Sequence, residues 1–293
     1  MRAISKVDIT QLLIDENTIN QRIDNFLFKT LKGVPKTHVY KIIRSGQVRV
    51  NSHRISASYR LKTGDKVRIP PVRRAVPKEG KTKNGKNHIL LNNILHEDED
   101  VLVINKPSGV AVHGGSGISE GVIEIFRGTQ NYAYLELAHR LDKETSGVLV
   151  LAKNRPSLLS LHSQFRDGLV DKIYFALVSS SWSFDNKTAN FPLLRTVRKN
   201  GERFVIVNEG GQSAKTEFLL IKKTRDFAML KVVMFTGRTH QIRVHLSHIG
   251  FPIAGDQKYG KLEFNKFVEK WGVKRMMLHA KSINFMHPKP KVL

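Results

Sequence analysis

The sequence predicts a two-part α+β protein, in which a small α/β module precedes a larger domain built on a mainly antiparallel, mixed sheet. Three features point to it. Beyond residue 89, short apolar runs of strand type dominate and helical patterns only occasionally interrupt them, which is not the regular alternation of a parallel βα fold. Before residue 71, two short helical patterns are followed by brief alternating stretches. Between the two regions, residues 71–88 (PVRRAVPKEGKTKNGKNH) hold prolines, glycines and cations with almost no apolar side chains. Such a stretch cannot bury enough surface to offset its ordering entropy, and it reads as a basic, flexible linker. At 293 residues the chain has room for both parts and for a sizeable core in the second.

Residues 1–19 form a short, weakly structured arm. In residues 20–70, Ile23, Phe26, Leu27 and Leu31 fall at helical spacing, and Gly33 with Pro35 ends that helix. A second helix starts near Thr37, turns Val39, Ile42 and Ile43 inward and stops at Gly46, leaving Lys36, Lys41 and Arg44 on its other face. Val48 and Val50 alternate with polar residues into a turn at Asn51, and Val67 with Ile69 repeats the alternation after Gly64 and Asp65. In residues 89–293, Val101 to Ile104 is a strand that Pro107 ends and Gly109 turns. Leu149 to Ala152 is a buried strand entered through Gly147, and Leu158, Leu161 and Phe165 mark a helix opened by Asn154 and Pro156 and closed by Gly168. Strands follow around Tyr174 to Val178, Phe204 to Val207, Thr216 to Ile221 and Ala228 to Phe235. Thr239 caps a helix that carries Ile242, Leu246 and Ile249 inward and ends at Gly250.

Composition narrows the function. Lys and Arg total 49 against 25 Asp and Glu, a formal charge of +24 that far exceeds what solubility requires and makes a polyanion the expected partner. No basic amphipathic helix with a Trp-rich apolar face and no long apolar run is present, so nucleic acid is favoured over membrane. The absence of cysteine excludes disulfides, thiolate zinc sites and a Cys nucleophile. The opening MRAISKVDITQLLIDEN has acidic residues and no apolar core before a cleavage-type site, so a cytoplasmic protein is expected. His240, His245 and His248 do not reproduce the HExxH spacing, and GVAVHGGSG lacks both the P-loop lysine and a dinucleotide fingerprint. Neither a metal nor another cofactor is therefore expected.

One stretch stands apart, HRLDKETSGVLVLAK from His139 to Lys153. Its only aspartate, Asp142, sits among Arg140, Lys143, Thr145, Ser146 and Gly147 just before the apolar strand. Taken alone, this is either an ordinary loop with a salt-bridged carboxylate or a carboxylate held still for chemistry.

HRLDKETSG followed by an apolar strand resembles the signature of RNA pseudouridine synthases of the RluA type. Four further stretches resemble the same family in the same order: KPSGVAVHGG from Lys106, KIYFALV from Lys172, TGRTHQIRVHL from Thr236, and LHA from Leu278. QRIDNFL, SGQVRVN and GDKVRIP resemble an S4-type RNA-binding module, which would put Lys36, Lys41 and Arg44 on phosphates. The resemblance implies an antiparallel pseudouridine synthase sheet with a cleft across it. Asp142 then becomes the catalytic carboxylate that serves while uracil is detached from C1′, turned and rejoined through C5.

Further roles follow from the same likeness. A carboxylate covered by RNA stays ionised beside a compensating cation, and Arg243 of HQIR matches the family's partner arginine, although by itself it would equally suit a phosphate. Tyr174 matches the active-site tyrosine, offering a ring face for uracil and a hydroxyl for proton transfer; Leu278 matches the apolar residue beside the base. Both would otherwise be read as core. Arg140 matches the residue that fills the vacancy left by a flipped uridine, while Lys106, His113 and Arg238 are expected at the cleft rim on phosphates. GVPK, VHGGSG and RIPPVR, in their places, make the large-subunit 23S ribosomal RNA the implied substrate, met before or during subunit assembly by a monomeric enzyme. A base-excising N-glycosylase and an RNA-binding ribosome assembly factor are the rival readings. In the family the last strand is followed by another that ends in Ala-Pro, whereas this sequence closes with MHPKPKVL, so either the chain is shortened or the edge of its sheet is built differently.

Overall fold

The computed structural model describes residues 4–7, 10–31, 33–75, 90–114, 120–129, 131–198 and 201–289. The chain divides into two compact units, 1–83 with 154–156 and 84–153 with 157–293.

The first unit contains β1 (Ile4–Val7), β2 (Thr10–Leu13), α1 (Ile23–Thr30), α2 (Lys36–Arg44), β3 (Arg49–Val50), β4 (His53–Arg54), β5 (Lys66–Ile69) and β6 (Val72–Ala75). Helical spacing puts Ile23, Phe26 and Leu27 of α1 and Val39, Ile42 and Ile43 of α2 inward, where they share a core with Val48, Val50, Val67 and Ile69. The sheet runs β2-β5-β3-β4, and β1 pairs with β6. Residues 1–19, expected as a weakly structured arm, therefore supply two strands: β2 pairs with β5 from Thr10↔Ile69 to Leu13↔Lys66. Val72–Ala75, expected within the linker, pairs with β1. A four-residue strand has too few alternations to stand out from its sequence, and its partner is far along the chain. The rest of the linker, 76–88, lies outside the described residues.

The second unit contains β7 (Ile94–Glu97), β8 (Val101–Lys106), α3 (Val122–Gly128), β9 (Glu136–Leu137), β10 (Ser146–Ala152), α4 (Arg155–Arg166) and β11 (Asp171–Ser179). There follow β12 (Asn186–Asn190), β13 (Leu193–Val197), β14 (Arg203–Val207), β15 (Lys215–Lys223), β16 (Phe227–Met234), α5 (Gln241–His248), α6 (Leu262–Lys270) and β17 (Leu278–Asn284). A nine-stranded sheet runs β12-β15-β16-β11-β17-β10-β8-β7, with β9 beside β10. Its pairings are antiparallel except β10 with β17, where Ser146 faces His279 and Gly147 faces Ala280. Leu149 to Ala152 are all buried because β10 is covered on both faces. Leu149 and Leu151 join the large core with Phe126, Trp182, Phe218 and Leu230, while Val150 and Ala152 pack with Leu158 and Leu161 of α4.

Two backbone features set the site. Gly147 has φ +113°, and a Cβ on it would lie 2.1 Å from the Ala280 carbonyl oxygen, so only glycine lets β17 lie this close. At the start of α5 the N-cap is His240 in the left-handed region (φ 55°), with no side-chain cap, rather than Thr239. The Thr239 hydroxyl instead accepts from Arg195 at 2.6 Å, and the turn at His240 directs its imidazole inward to Tyr259.

Candidate active site

Asp142 sits in the loop between β9 and β10 and is held by the chain after β8. Thr145 N–H closes the loop on the Asp142 carbonyl at 3.1 Å, and Gly109 N–H donates to the Lys143 carbonyl at 2.9 Å. Ser108 donates to the Glu144 carbonyl at 2.6 Å. Lys106 departs from expectation. It is fully buried rather than at the cleft rim, and its ammonium donates to the carbonyls of Pro107 (2.9 Å), Val110 (2.8 Å) and Lys143 (3.0 Å). These bonds use all three of its protons, so none is left for a phosphate. Burial pushes this ammonium down to about 8, against the pull of Glu144 and Asp142. A lysine beside proline and glycine reads as a phosphate contact in sequence; the pairing of β8 with β10 turns it inward as a staple on the Asp142 loop.

Arg243 of α5 reaches this loop. Its Nη1 donates to Asp142 Oδ2 at 3.1 Å, while its Nε and Nη2 donate to Asp256 at 2.8 and 2.9 Å. The Arg243 side chain is 8% exposed and that of Asp256 1%, against 22% for Asp142. Asp256 Oδ1 also accepts from the Lys258 and Tyr259 N–H groups. Burial raises the Asp256 carboxyl, but the Arg243 hydrogen bonds and charge outweigh it and hold the group below the usual carboxylate range. Arg243 is thus clamped as a cation whose third donor is aimed at Asp142. His240 adds its Nε2 at 3.8 Å from the same Oδ2.

Two cavities meet at this carboxylate. The first, 670 Å³, is lined by Tyr174, Leu278, Met234, Phe165 and Arg238; the second, 710 Å³, by His113, Lys143, Arg203, Lys258, Lys274 and Arg275. Arg140, Asp142, His240 and Arg243 line both. Tyr174 pairs with Ala280 across β11 and β17, two residues from Leu278, so the sheet register brings ring and leucine to one place. Both are largely buried. Burial, with the Asp142 charge, pushes the Tyr174 hydroxyl well above the phenol range, so it stays protonated. Exposed Arg140 and Arg238 stand at the first cavity, and exposed His113 at the second. In the first unit Lys36, Lys41 and Arg44 project from the exposed face of α2, with the Lys36 ammonium 5.3 Å from the Phe28 ring centre.

Asp256, Tyr259 and His240 escape the sequence reading. Nothing in GDQKYG marks its aspartate as the partner of an arginine 13 residues earlier, and His240 is dismissed there with the metal question. Among the described residues the one group of potential metal donors is Asp98, Asp100 and His287, outside both cavities. Asp98 already bonds His96 and His287 there, and Lys289 lies 3.6 Å from Asp100.

A clamped carboxylate where two cation-rich cavities join, the first also lined by Phe165, Tyr174 and Phe235, suits an enzyme that works on a base of a nucleic acid. Residues 100–248 match the RNA pseudouridylate synthase family, and residues 21–67 match the S4 domain. The chain belongs to the RNA pseudouridylate synthase family. Over 96% of its length it is 49% identical to ribosomal large subunit pseudouridine synthase C of Buchnera aphidicola subsp. Schizaphis graminum, covering 90% of that protein. The protein of the same name from Haemophilus influenzae is 47% identical, over 96% of this chain and 88% of its own. Among solved structures, human RNA pseudouridylate synthase domain containing 1 is 25% identical and aligns with 65% of this chain and 77% of its own at a TM-score of 0.56. The expected α+β class, with its S4-like domain and its mainly antiparallel synthase sheet, holds.

Proposed function

We propose that this RNA pseudouridine synthase isomerises uridines of large-subunit 23S ribosomal RNA, with Asp142 as its catalytic carboxylate. The observation that carries the assignment is the clamp: Arg243, fixed by two bonds to Asp256, holds Asp142 Oδ2 at 3.1 Å where the two cavities join. The target uracil enters the cavity of Tyr174 and Leu278, stacking on the ring and packing on the leucine. Arg140, on both cavities, fills the place the base leaves. Asp142 serves the ribose while the base is loose, and a protonated Tyr174 gives and takes a proton at the base. Arg238 and His113, with Arg203 and Lys274, hold flanking phosphates, and Lys36, Lys41 and Arg44 hold others. Lys106 positions the Asp142 loop instead of binding RNA. Residues 20–70 act as the RNA-binding domain and 89–293 as the catalytic one, in a cytoplasmic monomer that meets its RNA before or during subunit assembly.

The test is tritium release from unmodified 23S ribosomal RNA labelled at uridine C5, with wild type and Asp142→Asn, while free uracil is counted. Release to water from wild type alone, with uracil retained in the RNA, supports the reading. Free uracil would make the protein a glycosylase, and intact binding without release in either protein would make it a binding factor. Release from other RNAs but not from 23S would retain the chemistry and overturn the substrate.

A further inference from the structure

Two contacts converge on one imidazole. His240 Nδ1 lies 2.7 Å from the Tyr259 hydroxyl, which also accepts the Val205 N–H at 3.1 Å. Its Nε2 faces Asp142 Oδ2 at 3.8 Å. We infer that His240 is a positioning residue that offers an Nε2–H to Oδ2 of Asp142 and, with Arg243, commits that oxygen, leaving Oδ1 as the atom presented to the substrate. The inference rests on Asp142 being the catalytic carboxylate.

The tautomer follows from counting protons. An amide N–H only donates, so Tyr259 Oη is the acceptor toward Val205. Its own proton has one acceptor among the described residues, His240 Nδ1. Burial raises the phenol to about 12, so that proton is present throughout the working range. Burial likewise lowers the imidazole below its ordinary value, with Arg243 and Lys258 pushing the same way and Asp142 and Asp256 opposing, so the neutral ring keeps its Nδ1 lone pair. The ring hydrogen therefore sits on Nε2, on the side of the carboxylate.

The relay is held from all sides. The Arg243 guanidinium stacks 5.0 Å above the Tyr259 ring, and Phe204 packs against it at 4.5 Å. Histidine holds a left-handed backbone, φ 55°, to reach this position, a conformation disfavoured for a residue with a Cβ that the surrounding contacts offset. Arg243 and His240 both address Oδ2, and among the described residues nothing hydrogen-bonds Oδ1. At 3.8 Å the imidazole contact is open; it closes to hydrogen-bond distance when RNA covers the cleft, as catalytic contacts do on substrate binding.

The test is a rescue and a double-mutant cycle in single-turnover tritium release, with RNA affinity and melting temperature measured beside it. His240→Phe lowers the rate about tenfold or more at unchanged RNA affinity, as loss of one charge-directed donor predicts. His240→Gln, which restores an N–H that does not titrate, recovers the rate to within about threefold. Tyr259→Phe slows the wild-type enzyme by freeing the tautomer, and it adds nothing in the His240→Gln background. A merely structural role would give the same loss in both backgrounds, which would overturn the proposal. So would a His240→Gln protein that folds and is as slow as His240→Phe, or a fully active His240→Phe. Asp142→Asn run in parallel separates the two readings: if it is active, the catalytic assignment falls, whereas an inactive Asp142→Asn with indifferent His240 variants removes only the relay.

Discussion

Replacing Asp256 with Asn tests whether the clamp beneath the site holds both fold and chemistry. Asp256 is 1% exposed and accepts four hydrogen bonds, two from Arg243 and one each from the Lys258 and Tyr259 amides. An asparagine fits the space, yet whichever way its amide faces, an NH₂ group meets a donor, and the buried guanidinium loses its strongest counter-charge. Breaking one side of a buried pair costs about 3–5 kcal/mol; because Asn keeps one acceptor, about 3 kcal/mol is expected. For a cooperative unit of this size that lowers the melting temperature by about 6–12 °C. The guanidinium is then no longer held by a second carboxylate, and a displacement of about 1 Å at Asp142 lowers single-turnover tritium release ten- to a hundredfold. The acid limb changes as well. The folded Asp256 carboxyl titrates below its unfolded value, so its stabilisation is complete above the ordinary carboxylate range and is lost as the pH falls through the folded value. Asp256→Asn therefore shows a shallower loss of stability in acid. A melting temperature within about 2 °C of wild type, or an unchanged rate, would refute the clamp. In the double variant with Arg243→Met, less stability is lost than the two single losses sum to.

Three further outcomes are expected. Lys106→Met unfolds the loop staple at a cost of about 2–4 kcal/mol and lowers the isomerisation rate, yet leaves the salt dependence of RNA binding unchanged; a slope reduced by about 0.7–0.9 would restore the phosphate role. His139 accepts the Val150 N–H at 3.1 Å and stacks on Phe165, and burial, with Lys172 adding to it, pushes its ring down to about 4. Its unfolded form takes a proton first, so stability is complete above the ordinary imidazole range and roughly 2–3 kcal/mol is lost as pH falls toward 4. Denaturant titrations across that window must show the loss in wild type and not in His139→Asn. Gly147→Ala drives a methyl group into the Ala280 carbonyl and separates β10 from β17; a variant that kept wild-type melting and tritium release would show that this close approach does not matter.

Much of the site was recoverable from sequence because it lies in short contiguous motifs. HRLD and HQIR, through their resemblance to the family's motifs, pair Asp142 with Arg243 without knowledge of the fold, and the 3.1 Å contact joins them across 101 residues. Strands with three or more buried apolar positions, such as β10 and β11, were equally visible. The edge strand β12, NKTAN, was not, because its only buried position is Ala189. Helix α6 has one buried residue, Val268, and so little apolar stripe to detect. The direction of Lys106 was hidden for a different reason: a lysine's burial is decided by which carbonyls the tertiary fold brings to it, and Lys143 is 37 residues away.

The place of β17 has a consequence for biosynthesis. The strand is inserted between β10 and β11, and Ser146 meets the Leu278 carbonyl 132 residues further along the chain. At about 5–20 residues per second, β10 waits roughly 7–26 s on the ribosome before its parallel neighbour exists. Until then the two halves of the sheet expose facing edges, and Leu278 is missing from the cavity wall. The cavity that takes the base is therefore incomplete until β17 has been made, and the facing edges stay open to strand-pairing errors until then.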